Sequence, residues 1–306
     1  MGFDPQPVLE DVFGPGTAVS GTQAAAGGCI HDSRILQLQD GRQVFVKTHS
    51  SPPDGIFSAE AAGLRALGDT AGRLDPETAL RVPEVLAHDD GDDLAGAPFL
   101  LLEAIPSGSP SAGFFERFGR ALAELHRASG RSGQSPSTWG FEHDNYLGAT
   151  PQPNESRPTW TAFWDEQRLG FQIERARRAG LSDPELDTAV DRLRSRLPEL
   201  LDPVDEPPSL LHGDLWSGNF MVHGDGTPVL IDPAVYRGQR EAELAMCRLF
   251  GGFPGEFFVA YDAAWPLADG HRERQPLYEL YHLLNHLNLF GRGYRAGCMA
   301  CLRRLV

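Results

Sequence analysis

Residues 212–219 read HGDLWSGN, and residues 229–232 read VLID after a Gly-Asp-Gly turn at 224–226. The apolar runs around the polar loop predict a strand, a loop, a second strand, a turn and a third strand. Asp214, Asn219 and Asp232 therefore stand on a loop or at strand ends. Taken singly, each could be a turn or cap residue, but together at this spacing they indicate a functional site.

The chemistry that suits this set is phosphoryl transfer from Mg-ATP. Such a reaction needs an acceptor hydroxyl aimed in line and metal ions that neutralise the phosphate oxygens. In kinase catalytic loops an aspartate precedes a metal-binding asparagine by five positions, and a metal-binding aspartate follows on the next hairpin. The spacing makes Asp214 the candidate catalytic residue, and Asn219 and Asp232 the candidate magnesium ligands.

A second group of candidates, for ATP binding, lies near the N-terminus. Residues 28–47 contain two β-rich runs around Asp-Gly at 40–41, which predicts a hairpin ending at Lys47. Glu60 follows thirteen residues later on a predicted helix over 57–67. Either residue could be solvated, but their order before the 212–232 set favours a buried pair that positions the ammonium on phosphates. Gly28 and Cys29 follow a small-residue stretch that could approach the nucleotide closely.

The run PFLLLEAI at 98–105 predicts a buried strand that ends in the loop PSGSP at 106–110. At the end of this run, Glu103 and Ile105 are candidates to meet adenine. We place the lobe boundary here, with an N-lobe over 1–105 and a C-lobe over 106–306. Helical periodicity over 112–128, 160–179, 183–200 and after 240 predicts an α+β chain with a small β-rich N-lobe and a larger, mainly helical C-lobe. Because the spacing at 212–232 is similar to that of kinase loops, we expect a protein-kinase-like, two-lobed fold.

Composition limits the partners. The 306 residues are 41% hydrophobic, enough for a packed core, and the formal net charge is −15. This charge opposes binding to nucleic acid and to anionic membranes. Without a basic, apolar leader or a long apolar run, the sequence predicts a cytoplasmic protein with no membrane partner, present as a monomer or weak homodimer.

Segments along nearly the whole chain resemble the fructosamine kinase, or ketosamine-3-kinase, family, a relative of the aminoglycoside and choline kinases. The resemblance is carried by the segments GGCI at 27–30, VFVK at 44–47, WGF at 139–141, DNYLG at 144–148, PQPN at 151–154, HGDLWSGN at 212–219, DPAVY at 232–236, LFGGF at 249–253 and YHLLNHLNLFG at 281–291.

The resemblance implies ATP and magnesium as cofactors, and phosphorylation of the sugar 3-hydroxyl of ketosamines on small amines or on glycated proteins. The resulting 3-phosphate would decompose and free the amine. Candidate acceptor contacts are Trp216, Tyr236, Arg240 and His286, with packing in the core as the alternative for the aromatic residues and the histidine. The segment RGQRE at 237–241 departs from the family pattern, which puts the acceptor preference in doubt.

Two other functions remain open. One is a phosphotransferase of the same fold that acts on an aminoglycoside, choline or another metabolite. The other is a pseudokinase that binds nucleotide and serves as a partner module. The intact set of Lys47, Asp214, Asn219 and Asp232 argues against the pseudokinase.

Overall fold

The computed structural model describes residues 3–25, 32–91, 94–131 and 138–306. Contacts divide the chain into two compact units, and each is described by itself. The first comprises Met1–Arg73, Ala79–Phe114 and Gly218–Pro233, and the second comprises Leu74–Thr78, Phe115–Ser217 and Ala234–Val306. The expected lobe boundary between residues 105 and 106 stays a prediction.

The first unit is built on a five-stranded antiparallel sheet. Its strands are β1 (Val19–Ala24), β2 (Asp32–Leu38), β3 (Gln43–Thr48), β4 (Val85–Asp89) and β5 (Phe99–Glu103), in the order β1-β2-β3-β5-β4. The predicted hairpin turn is confirmed, with Gly41 at φ +87°, a value that glycine adopts without strain. Leu36, Leu38, Val44 and Val46 alternate onto a buried face with Val8 and Leu9 of helix α1 (Gln6–Phe13).

Two further elements complete this unit. Helix α2 (Ile56–Ala71) covers the predicted segment 57–67 and begins where the Asp90 carboxylate accepts the backbone N–H groups of Phe57 and Ser58. The hairpin of β9 (Phe220–Val222) and β10 (Pro228–Leu230) matches the predicted strand-turn-strand pattern. Both elements place candidate site residues, because Glu60 lies on α2 and Asp232 follows β10.

The second unit is mainly helical. Its elements, in chain order, are α3 (Phe114–Arg131), β6 (Asn145–Leu147), β7 (Thr150–Gln152), α4 (Trp160–Phe163), a π-helical stretch over Trp164–Gly170, α5 (Phe171–Arg178), α6 (Pro184–Leu201), β8 (Ser209–Leu211), β11 (Tyr236–Gly238), α7 (Glu241–Leu249), α8 (Gly255–Ala264), α9 (His271–Phe290) and α10 (Arg295–Leu305).

Aromatic side chains fill the core of the second unit. Trp160 and Trp164 pack with Tyr278 at ring distances of 6.3 and 4.9 Å, and Tyr236 stacks parallel to Trp160. The sheet of the first unit and the helices of the second confirm the α+β class. Within the described ranges, none of the helices combines the length and apolar composition needed to cross a membrane.

Candidate active site

Lys47 is the centre of a buried charge cluster in the first unit. Strand alternation turns Val44 and Val46 into the core and puts Lys47 on the opposite face of the sheet. Its Nζ donates to Glu60 Oε1 at 2.6 Å and to Asp232 Oδ1 at 2.5 Å, and its side chain is only 5% exposed. The structure thus brings together three of the residues that the sequence singled out.

The charges of this cluster do not cancel. Burial alone would lower the pKa of Lys47, but the two carboxylates outweigh that effect and raise it above its ordinary value. The pKa of Glu60 is also raised, by burial first and by repulsion from Asp232, although Lys47 opposes the rise. One ammonium beside two carboxylates leaves one negative charge, and Asp232, with its side chain 35% exposed, is the more accessible carboxylate. A cation at Asp232 would complete the charge balance.

Asp232 has an unusual backbone conformation. Its φ of +54° is the only positive value at a non-glycine position in the part of the chain that the structure describes. Non-glycine residues reach this region at a cost, and such strain concentrates at functional sites. Two hydrogen bonds of Asn219 support this conformation. Its carbonyl accepts the N–H of Ile231 at 3.1 Å, and its Nδ2 donates to the Asp232 carbonyl at 3.4 Å. Both predicted metal ligands are therefore tied to one hairpin.

The donor set suits a magnesium ion that arrives with phosphate. Asn219 and Asp232 offer an amide and a carboxylate oxygen, and among the described residues no cluster of three His, Cys, Asp or Glu side chains could hold a metal ion. Magnesium commonly takes only one or two protein oxygens and fills its octahedron with water and substrate phosphates. These residues fit that mode and do not form an all-protein cage.

A cavity of about 480 Å³ in the first unit ends at this cluster. This volume lies in the range of small-molecule sites. Two charged residues of the cluster, Lys47 and Asp232, line the cavity. Its other walls are mostly apolar and are formed by Ile35, Phe45, Leu102, Ile105, Phe220, Met221 and Ile231. Glu103 and Ile105 both line it, as the sequence predicted for an adenine site. Apolar walls with a charged region suit a flat base that carries phosphates.

The segment that follows Ile105 is fixed by backbone contacts that the sequence did not reveal. The carbonyl of Pro106 accepts the N–H of Gly224 at 2.8 Å, and Gly108 donates to the Val222 carbonyl at 2.7 Å. A Cβ at Gly108 would lie 2.4 Å from the carbonyl oxygen of His223, so this approach requires glycine. In the sequence, the glycine in the loop 106–110 was a signal of a close backbone approach, but the sequence did not indicate which segment this loop contacts.

The predicted catalytic residue, Asp214, lies on a loop of the second unit that is braced just before it. The Glu243 carboxylate of α7 accepts the backbone N–H groups of His212 and Gly213. Gly213 has φ +84°, and a Cβ there would lie 2.0 Å from the Ala234 carbonyl oxygen. Sequence reasoning missed Glu243, although a carboxylate inside the apolar run of 242–247 was a signal for a buried acceptor.

Two of the candidate acceptor contacts in the second unit are accessible, Trp216 as an exposed side chain and His286 as a half-buried one. Trp216, two positions after Asp214, is 39% exposed. Gly252 meets the same loop, since a Cβ at this glycine would lie 2.2 Å from Ser217 Cβ. Beside Gly252, the ring of Phe250 lies 4.6 Å from that of His286. Burial lowers the pKa of His286, so its imidazole is neutral at physiological pH.

The other two candidates lie in the interior. Tyr236 is 1% exposed and lies under the guanidinium of Arg168, 4.1 Å from its ring centroid. Arg240 is fully buried, paired with Glu206 at 2.6 Å and stacked on Trp265. Their side chains are engaged by protein partners, so contact with a substrate would require a rearrangement. Gly28 and Cys29 lie outside the described residues.

Comparison with known proteins agrees with this arrangement. The sequence profile described as fructosamine kinase matches residues 4–306. The chain is 39% identical over 309 residues to the chloroplastic protein-ribulosamine 3-kinase of Oryza sativa subsp. indica, covering 99% of this chain and 83% of the rice protein. It is 37% identical over 302 residues to the enzyme of the same name from Arabidopsis thaliana, covering 97% of this chain and 86% of that protein.

Solved structures give the same fold. A crystal structure from Thermobifida fusca, described provisionally as a fructosamine-3-kinase, superposes with a TM-score of 0.81 at 34% identity and covers 95% of this chain and 94% of that one. A thermostable mutant of the aminoglycoside phosphotransferase APH(4)-Ia, solved with AMP-PNP and hygromycin B, has a TM-score of 0.63 at 15% identity over 98% of both chains. The second likeness concerns the fold alone, and it confirms the protein-kinase-like architecture. On its sequence and its structure, the chain belongs to the fructosamine kinase family.

Proposed function

We propose that this protein is an ATP-dependent ketosamine 3-kinase that phosphorylates the sugar 3-hydroxyl of fructosamine or ribulosamine adducts. The observation that carries the proposal is Lys47, held between Glu60 and Asp232 at 2.6 and 2.5 Å at the lining of a cavity of about 480 Å³. Membership of the family supports the choice of acceptor, because its plant relatives are named ribulosamine 3-kinases. Acceptors of this class include adducts on small amines and on protein lysines.

The residues of the first unit divide the work of holding Mg-ATP. When it is bound, the nucleotide supplies the γ-phosphoryl group that is transferred. Lys47 provides a fixed ammonium for phosphate oxygens, and Glu60 keeps it in place. Asn219 and Asp232 are the proposed magnesium ligands. Glu103 and Ile105 line the part of the cavity that we assign to adenine.

Residues of the second unit are proposed to bind and orient the acceptor. We assign to Asp214 the orientation of the 3-hydroxyl and the acceptance of its proton, which is the usual role of a catalytic-loop aspartate. Trp216 offers an exposed aromatic face to the sugar, and His286 offers a neutral imidazole beside Phe250. The 3-phosphate is then expected to decompose and release the amine, so that the reaction reverses glycation.

The remaining functional assignments follow from charge and chemistry. A net charge of −15 disfavours nucleic acid and anionic membranes as partners. We propose a cytoplasmic location, where ATP is available, and a monomer or weak homodimer. The intact set of Lys47, Asp214, Asn219 and Asp232 disfavours a pseudokinase. A kinase with an aminoglycoside or choline acceptor stays the second candidate.

The acceptor class is tested by ATP-consumption kinetics on a panel. Ribulosamine and fructosamine adducts of Nα-acetyl-lysine are expected to stimulate ATP consumption, whereas aminoglycosides and choline should leave it at the background rate. The reason is that a site built to bond one pattern of hydroxyls rejects acceptors that leave its polar groups unpaired. Unmodified Nα-acetyl-lysine is the matched control. The reverse order of activity would replace the ketosamine by the second candidate.

A further inference from the structure

Three side-chain amides of the second unit converge on two neighbouring backbone carbonyls. Asn145 Nδ2 donates to the Val235 carbonyl at 2.7 Å, and Asn154 Nδ2, which donates to the His143 carbonyl at 3.0 Å, also lies 3.5 Å from the Val235 oxygen. Gln152 Nε2 donates to the Ala234 carbonyl at 3.0 Å. All three amide residues are at least 96% buried. The short hairpin of β6 and β7 thus supplies hydrogen-bond donors to a segment that precedes β11.

The oxygen atoms of the same amides are also engaged. Gln152 Nε2 donates to Asn145 Oδ1 at 2.7 Å, and the Tyr281 hydroxyl donates to Gln152 Oε1 at 2.6 Å. Arg168 donates to Asn154 Oδ1 at 2.7 Å. Because each oxygen already accepts a hydrogen bond, the amide nitrogens must face backbone carbonyls, those of Ala234 and Val235 and, for Asn154, mainly that of His143. The orientation of the three amides is therefore determined by the network.

Arg168 is an unusual member of this network. It is fully buried, and none of the ion pairs among the described residues involves it. Its guanidinium donates to the Pro153 carbonyl at 2.6 Å and to the Asn154 amide, and it stacks 4.5 Å from the Phe163 ring centroid. It stands in the π-helical stretch 164–170, a local geometry that often serves function. A buried cation with neutral partners is costly to retain for stability alone.

The carbonyl that Gln152 holds lies directly against the catalytic loop. The oxygen of Ala234 would be 2.0 Å from a Cβ on Gly213, and the N–H of Ala234 donates to the His212 carbonyl at 2.8 Å. Gly213 is the residue before Asp214. A displacement of the Ala234 peptide is therefore transmitted to the backbone that carries Asp214.

We propose that Gln152, oriented by Asn145, is a positioning residue for Asp214 and acts through the Ala234 carbonyl. The inference rests on the catalytic role proposed above for Asp214. The amides are buried and bonded to protein groups, so we assign to them the positioning of the loop and no contact with substrate. Because in-line transfer depends on geometry, a small displacement of the orienting carboxylate lowers turnover more than it lowers binding.

The first test is Gln152→Met, which keeps the length of the side chain and removes its donor and acceptor. The variant is expected to lose about 10- to 100-fold in kcat, the scale of a misplacement of about 1 Å. The Kd for Mg-ATP should stay within about threefold, because Lys47, Asn219 and Asp232 are untouched. Kinetics with the ribulosamine adduct of Nα-acetyl-lysine and calorimetry with Mg-ATP measure the two quantities.

A matched pair of tyrosines on α9 separates positioning from loss of stability. Tyr281 and Tyr278 are both buried, and each hydroxyl donates to a glutamine oxygen at 2.6 Å, Tyr281 to Gln152 and Tyr278 to Gln239. Tyr281→Phe is expected to lower kcat about three- to tenfold. Tyr278→Phe, which also removes the acceptor of the Trp160 indole N–H, should keep kcat near wild type at a change in Tm at least as large. This pair also decides the question if Gln152→Met does not fold.

The outcomes distinguish this inference from the proposed function. A kcat loss in Gln152→Met and Tyr281→Phe, with Mg-ATP affinity retained and Tyr278→Phe active, supports it. Equal kcat in Tyr281→Phe and Tyr278→Phe in an active wild-type background overturns the inference alone. A wild type that binds Mg-ATP but phosphorylates no ketosamine contradicts the proposed function, and the inference falls with it.

Discussion

The Asp214→Asn variant is expected to fold, to bind Mg-ATP with nearly unchanged affinity, and to lose turnover by ~10² or more, the contribution usual for a general base. The amide keeps the shape of the side chain but can no longer accept the proton of the acceptor hydroxyl. The groups proposed for the nucleotide, Lys47, Asn219 and Asp232, are unaltered. Steady-state kinetics and calorimetry on the same preparation measure the two effects.

Asp232→Asn provides the contrast for this prediction. It removes the exposed carboxylate of the charge cluster, so the affinity for nucleotide should fall in the presence of magnesium and change little in EDTA. Near-normal turnover in a folded Asp214→Asn protein would remove Asp214 from the catalytic role. Unchanged Mg-ATP affinity in Asp232→Asn would remove Asp232 from the metal site.

Lys47→Met is expected to reduce both nucleotide affinity and stability. The variant leaves the buried carboxylate of Glu60 beside Asp232 with no cation between them. Removing one partner of a buried pair typically costs about 3–5 kcal/mol, because the remaining charge stays desolvated. Urea unfolding with the Mg-ATP Kd from calorimetry checks the prediction.

The double variant Lys47→Met/Glu60→Gln separates the two losses. Neutralising Glu60 should restore much of the stability, while nucleotide affinity stays low because the ammonium is still missing. In the single variant, the pKa of Glu60 should rise further than it does in the wild type. A carboxyl whose pKa is raised in the folded protein destabilises the fold once it ionises. The loss of stability in Lys47→Met should therefore be smaller at pH 5 than at pH 8. A pH-independent loss would contradict the account of the cluster.

Local patterns were enough to predict the residues that the structure brings together around Lys47. Lys47 was placed by strand alternation and Glu60 by helical periodicity, and the structure joins them at 2.6 Å. The Asp-Gly turn at 40–41 identified the hairpin, and the loop spacing singled out Asn219 and Asp232, whose role as metal ligands stays a prediction. These features depend on residues close together in the chain, where periodicity and turn chemistry give direct information.

Contacts between distant segments could not be predicted in the same way. Asn145 and Gln152 bind carbonyls 90 and 82 residues further along the chain, and no local pattern names such partners. The positive φ of Asp232 was not predictable either, because aspartate adopts the left-handed region only occasionally.

Two candidate substrate contacts show the ambiguity of residue type. Tyr236 and Arg240 have the chemistry of sugar and phosphate recognition, yet in the structure the same chemistry serves the interior. The ring of Tyr236 receives the guanidinium of Arg168, and Arg240 pairs with Glu206. Aromatic and guanidinium groups stack on one another as readily as on a ligand, so their type alone does not distinguish the two uses.

The central claim, transfer of the γ-phosphoryl group to the 3-hydroxyl of a ketosamine, is tested most directly by ³¹P and ¹H NMR of the product. The wild-type protein, incubated with Mg-ATP and the ribulosamine adduct of Nα-acetyl-lysine, is expected to give one phosphomonoester coupled to the proton at C3. That signal should then decay to inorganic phosphate as free Nα-acetyl-lysine appears, and Asp214→Asn should give neither. A phosphomonoester at another hydroxyl, or none under conditions where an aminoglycoside is phosphorylated, would contradict the account.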